Sequence, residues 1–119
     1  MKYLLLIHYL DAPTPRDPEA WGRLSEEERQ SVAAGYETLK RTPGVMPGGR
    51  LQPAETATTV RVVDGEAQLK DGPFALPAEA VGGYVTFEGA DLDAAIELAA
   101  RIPAARTAGA VEIRPFVEA

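Results

Sequence analysis

Lys2-Tyr3-Leu4-Leu5-Leu6-Ile7-His8-Tyr9 is apolar and β-favouring along both of its alternating faces. Successive side chains of a strand leave opposite faces, so Tyr3, Leu5, Ile7 and Tyr9 point one way and Leu4, Leu6 and His8 the other. A strand without a polar face belongs in the middle of a sheet and needs cover on both sides. The apolar start briefly resembles a signal peptide. His8, Tyr9 and Asp11 then follow with no small-residue cleavage site, so the run reads as mature protein.

Working outward, the connection Asp11 to Pro18 carries Pro13, Pro15 and Pro18 and cannot continue the strand. Ser25-Glu26-Glu27-Glu28 has the spacing of a capping box, and Val32, Tyr36 and Leu39 recur at helical intervals, so a helix is expected over 25–41. Gly35 weakens it somewhat. Thr42-Pro43-Gly44 ends it. Val45 to Leu51 reads as a short, irregular strand because Pro47, Gly48 and Gly49 interrupt it. Thr56 to Val63 is β-branched, and Asp64-Gly65 suits a two-residue hairpin turn into Glu66 to Lys70. Gly82 to Glu88 is a further strand. Asp91 caps a second helix whose expected buried stripe is Leu92, Ala95, Ile96 and Ala99, with Pro103 as its stop. Val111, Ile113 and Pro115 alternate with Glu112 and Arg114 in a last strand.

With the hairpin set aside, this order is the split βαβ pair of a ferredoxin-like α+β sandwich. Two helices cover one face of such a sheet, yet the first strand is apolar on the other face as well. A second copy, sheet against sheet, is the economical cover. The expected assembly is therefore a homodimer, a dimeric α/β barrel with a hairpin inserted in each subunit.

A length of 119 residues favours a single domain over 1–119, with enough buried surface for a core that needs no disulfide or metal. Hydrophobic residues make up 45% and charged residues 25%, which excludes wholesale disorder. Lys plus Arg number 12 against 18 Asp plus Glu, a net charge of −6 that repels phosphate backbones and anionic lipid. Neither nucleic acid nor a membrane is an expected partner. The count of cysteines is 0, which removes thiol nucleophiles, thiolate zinc sites and iron–sulfur ligation and fits a cytoplasmic location.

Asp71-Gly72-Pro73-Phe74, Gly82-Gly83-Tyr84 and Ala100-Arg101-Ile102-Pro103-Ala104-Ala105-Arg106 resemble, in order, the signature of the YCII-related, DGPF-motif family. Leu51-Gln52-Pro53, Thr56-Ala57-Thr58-Thr59-Val60 and the closing Val111-Glu112-Ile113-Arg114-Pro115 extend the resemblance over nearly the whole chain. It implies a small dimeric α/β barrel. Some bacterial members are encoded beside extracytoplasmic-function sigma factors, and a relative in the wider group is a dehydrochlorinase of a chlorinated hydroquinone for which a His–Asp pair has been proposed as the site. Many members follow the DGPF stretch with Glu-Thr-Lys-Glu. Here Leu76-Pro77-Ala78-Glu79 keeps only the last acid, which would make any site rimmed by that run more apolar.

His8 is the single histidine, and histidine is the side chain whose unperturbed titration lies near neutrality. As a general base it needs a partner to fix its tautomer, and Asp71 is the candidate, on a loop able to return to the sheet's rim. The plain alternative makes His8 a polar strand residue with a satisfied hydrogen bond. Likewise the DGPF stretch is explained without chemistry if Asp71 accepts backbone N–H groups, Gly72 takes an unusual dihedral, Pro73 fixes the next, and Phe74 plugs the core. Tyr9, Phe74, Tyr84 and Arg114 are the candidate substrate-binding residues, the tyrosines as donors on apolar rings and the arginine as a carboxylate anchor beside Arg61. Strand arginines also serve simply as partners for acids such as Glu88 or Glu112. No spacing suggests a metal, and no cofactor is expected. Two functions follow. One is a cofactor-independent lyase or isomerase that removes a proton from a small aromatic or keto substrate. The other is a non-catalytic module, binding a small ligand or a regulatory partner, associated with sigma-factor systems.

Overall fold

Ser25 begins the longest helix as a cap should: its Oγ accepts from the Glu28 N–H at 3.0 Å, and the Glu28 carboxylate accepts from the Ser25 N–H at 2.9 Å. In the computed structural model, which describes residues 1–9, 12–15, 17–74 and 81–117, that helix is α2, Glu26–Arg41. Three acids in its first turn and Lys40 and Arg41 in its last both favour the helix dipole. The remaining elements, in order, are β1 (Lys2–His8), α1 (Pro18–Gly22), α2, β2 (Val45–Arg50), a single 3₁₀ turn (Ala54–Thr56), β3 (Thr58–Val63), β4 (Glu66–Asp71), β5 (Val81–Glu88), α3 (Leu92–Arg101), α4 (Pro103–Arg106) and β6 (Ala110–Pro115). The Leu76-Pro77-Ala78-Glu79 departure lies outside the described residues, as do Asp11 and the two C-terminal residues.

The fold is mixed α+β. Strands β2-β5-β1-β6 form one antiparallel sheet, and β3 and β4 form a separate two-stranded one. Each βαβ unit of the main sheet has a strand of the other unit inside or beside it, the split arrangement read from the element order. β1 is central, as its two apolar faces require. Tyr3, Leu5 and Ile7 are 1%, 0% and 4% exposed, packed with Val85 and Phe87 of β5 under Leu39 of α2 and Ala95, Leu98 and Ala99 of α3. Burying a side chain such as Leu5 contributes roughly 2 kcal/mol.

One local expectation needs correction, and two proline positions do more than was expected of them. The stripe of α3 that reaches the core is Ala95, Leu98 and Ala99, whereas Leu92 and Ile96 are each 49% exposed. Asp91 fixes where the helix starts, with Oδ1 accepting from the Ala94 N–H at 3.0 Å, and packing against β6 and α4 fixes which arc faces inward. Pro103 ends α3 but also opens α4 at its first position, where a missing N–H costs nothing. Pro18 does the same for α1, so the proline-rich connection ends in a helical turn capped by Asp17. Gly35 is tolerated within α2 because Pro103 lies directly against it, leaving no room for a Cβ.

Asp64 and Gly65 turn the β3–β4 hairpin with φ of 52° and 79°, the pair of positive values that matches the twist of the strands. Val60 stands opposite Leu69, and Val62 opposite Ala67, giving the hairpin one apolar face; Arg61, Gln68 and Lys70 belong to the other. Its extensive contacts are between its own two strands. The radius of gyration, 16.3 Å, exceeds the roughly 13.5 Å of an average compact chain of this length. The molecule is a slab, 54 × 41 × 18 Å, with helices on one side of the main sheet.

Candidate functional site

Tyr9 follows β1 directly, and an edge of its ring lies against Gly82 of β5, where any Cβ would overlap it. Across the sheet, the Tyr84 ring lies against Gly48 in the same way, at the point where the β2–β5 register shifts between Pro47 and Gly49. An edge strand tolerates both the proline and the bulge. The bulge, the end of β1 and the last turns of α2 together enclose a half-open cavity of about 430 Å³. Ile7, Leu39 and Val85 supply its apolar wall, Tyr9, Tyr36, Lys40 and Arg50 supply the polar groups, and Tyr84 borders it from the opposite face of β5. Burial pushes the Tyr36 phenol well above the usual tyrosine range; the neighbouring Tyr9 hydroxyl raises it further and Arg50 draws it partly back. The phenol therefore stays protonated and able to donate.

Of the sequence candidates, this cavity takes Tyr9 and Tyr84. His8 is not part of it. Its Nε2 lies 3.1 Å from Oε1 of Glu112, with the histidine side chain 16% exposed and the glutamate 47%. The register explains the pair: Leu6 faces Glu112 and His8 faces Ala110, so His8 and Glu112 are diagonal neighbours. An ionised carboxylate only accepts, so in this contact Nε2 is the donor. Arg114 of the same strand is 3.9 Å from Glu112 through Nη1, the strand ion pair of the plainer reading.

No hydrogen bond or ion pair joins Asp71 to His8 among the described residues. Asp71 ends β4 opposite Thr58 and lines an open depression with Pro53, Glu55 and Pro73. Gly72 has a φ of 99°, the unusual dihedral expected of it, and its N–H donates to Ala57 O at 2.7 Å. Phe74 does not plug the core. It is 64% exposed, with its ring 5.5 Å from the Arg61 guanidinium. No group of three or more His, Asp or Glu among the described residues is placed to hold a metal ion, and none of their helices is long and apolar enough to cross a membrane.

The pattern of the YCII-related domain matches residues 1–119, the whole chain. The chain belongs to the YCII-related family. An uncharacterized protein of Rhizobium meliloti (strain 1021) is 32% identical over 100 residues, which cover 82% of this chain and 80% of that relative. Within this YCII-related chain, the Gly82-Gly83 signature acquires a physical role: Gly82 admits the Tyr9 ring, and Gly83 lies close to the Tyr9 hydroxyl and the Gly49 carbonyl. Tyr36 and Arg50 escaped the sequence reading. Tyr36 sat in a helical stripe that looked like core, and Arg50 in a glycine-rich strand without a phosphate-loop context. The run of glycines facing future aromatic neighbours was the one available signal.

Proposed function

We propose that the protein is a homodimer that binds a small organic molecule, one in each Tyr9–Tyr36–Tyr84 cavity. The observation that carries the ligand reading is the pair of ring-on-glycine contacts. Both tyrosines line a recess with an apolar wall, and its volume suits a small aromatic or keto compound. The dimer reading rests on the second sheet face, where no helix among the described residues covers Leu4, Leu6, Met46 and Tyr84, and on the open apolar face of the hairpin. Two such sheets pressed together give the dimeric α/β barrel, and a two-fold axis makes a single patch self-complementary.

A thermal-shift screen of small aromatic and keto compounds tests the ligand reading, because a ligand specific to the folded state raises its melting temperature. Pro47→Trp is the blocked control, since Pro47 is exposed, lines the cavity and stands opposite Val85 on the helix-covered face, so the larger ring has room at the recess. Compounds that stabilise the native chain and not Pro47→Trp support the reading; equal stabilisation of both sinks it.

The His8–Glu112 contact favours a second reading, an elimination or isomerisation in which His8 removes a proton, with Glu112 in the orienting place assigned to Asp71 from the sequence. It requires His8→Ala to abolish turnover of an identified ligand while Asp71→Asn leaves it intact. Turnover by His8→Ala ends it.

A further inference from the structure

The charges around the cavity do not follow those of the molecule. The chain carries a net −6, yet among the described residues the charged ones lining this recess are Lys40 and Arg50, with no acid. A cavity of similar size between α2 and α4, about 460 Å³, has mixed charge: Glu28 lines it with Arg101 and Arg106. Lys40 is already engaged, with Nζ 3.4 Å from the Glu37 carboxylate. Arg50 forms no ion pair among the described residues.

We propose that the molecule bound in this cavity is a small monocarboxylate, its carboxylate on the Arg50 guanidinium and the Tyr36 and Tyr9 hydroxyls, its apolar body against Ile7, Leu39 and Val85. The inference rests on the small-ligand reading above and adds the charge class to it. A planar guanidinium offers two parallel N–H donors that match a carboxylate's two oxygens. The phenols complete the oxygen's remaining sites, and burial keeps the Tyr36 phenol protonated and able to donate. A cation would be repelled by both lining charges. A neutral ligand leaves the guanidinium fork unused, and a second carboxylate would have only the already paired Lys40. The apolar wall excludes a ligand that is polar throughout.

Calorimetric titration with benzoate, benzamide and phenylphosphonate separates the possibilities. The native chain is expected to bind benzoate about tenfold or more tighter than benzamide, as a charge-assisted pair of hydrogen bonds implies, and to bind phenylphosphonate no better than benzoate. Arg50→Gln should abolish the preference for benzoate, weakening benzoate far more than benzamide. Arg50→Lys, which keeps charge but loses the fork, should recover part of it. Equal binding of benzoate and benzamide, a preference that survives Arg50→Gln, or clear preference for phenylphosphonate overturns the carboxylate assignment and leaves the cavity reading standing. Binding of these probes that is unaffected by Pro47→Trp removes the cavity reading itself.

Discussion

The two β-sheets of this protein are built on the same alternation and meet opposite fates. In the main sheet, Val85 and Phe87 are each 8% exposed beneath α2 and α3; in the hairpin, Val60, Val62 and Leu69 are 58%, 69% and 71% exposed. Both are apolar at every second residue, and what separates them is the connection. Strands β1 and β5 are followed by helices that fold back over them, whereas β3 returns directly into β4 through Asp64-Gly65. Periodicity therefore says that a face must be covered and is silent about what covers it. An isolated two-stranded ribbon is marginal in water, so the hairpin's apolar face implies a partner surface as firmly as the bare side of the main sheet does.

The contrast can be broken most forcefully at Leu5. Leu5→Ala should cost about 3 kcal/mol, the usual penalty for emptying a fully buried site, read as a lowered urea midpoint with an unchanged slope. Leu69→Ala, in the hairpin, should leave the far-ultraviolet spectrum intact and act on subunit association instead. If Leu69→Ala unfolds the chain as Leu5→Ala does, the hairpin is core and the comparison fails. Gly82→Ala comes next. Its new methyl group must displace the Tyr9 ring, at a cost of about 1–3 kcal/mol for overpacking, and should weaken ligand binding more than it lowers stability relative to Leu5→Ala.

The smallest effect sharpens the role of local signals against tertiary ones. Glu28 is held below the ordinary carboxylate range by its hydrogen bonds to Ser25, first the backbone N–H and then the hydroxyl. A depressed folded-state value gives stabilisation that is present above the unfolded value and lost as pH falls through the folded one. Glu28→Gln should therefore be slightly less stable than the native chain at neutral pH and equal to it in acid. A difference that persists at low pH would mean that the capping box is not its source.

Much of the fold was legible because its signals are local. The Ser25 and Asp91 caps, the Asp64-Gly65 turn and the two-faced apolar run at residues 2–9 each declare an element within a few residues. The inward arc of α3 was not legible. Leu92, Ala95, Ile96, Leu98 and Ala99 are all apolar, and only packing decides that Leu98 is inside and Leu92 and Ile96 are not. Phe74 misled for a related reason: an aromatic ring after a rigid turn reads as a core plug, and here it stacks on Arg61 outside the core. The site was half legible. Tyr9 and Tyr84 were identifiable as amphipathic aromatics near strand ends. Tyr36 and Arg50 join them through the bulge at Gly48 and the approach of α2, and Glu112 meets His8 only through the β1–β6 register. Each of these depends on residues distant in sequence.

Sedimentation equilibrium of the native chain beside Met46→Lys tests most directly whether the uncovered faces meet a second copy. Met46 stands opposite Thr86 on the bare side of the main sheet and is 57% exposed, so a lysine there leaves the subunit's own core untouched. The expected result is twice the chain mass for the native protein and a shift toward the single-chain mass for Met46→Lys. A native protein that sediments at the single-chain mass across all concentrations, indistinguishable from Met46→Lys, would contradict it.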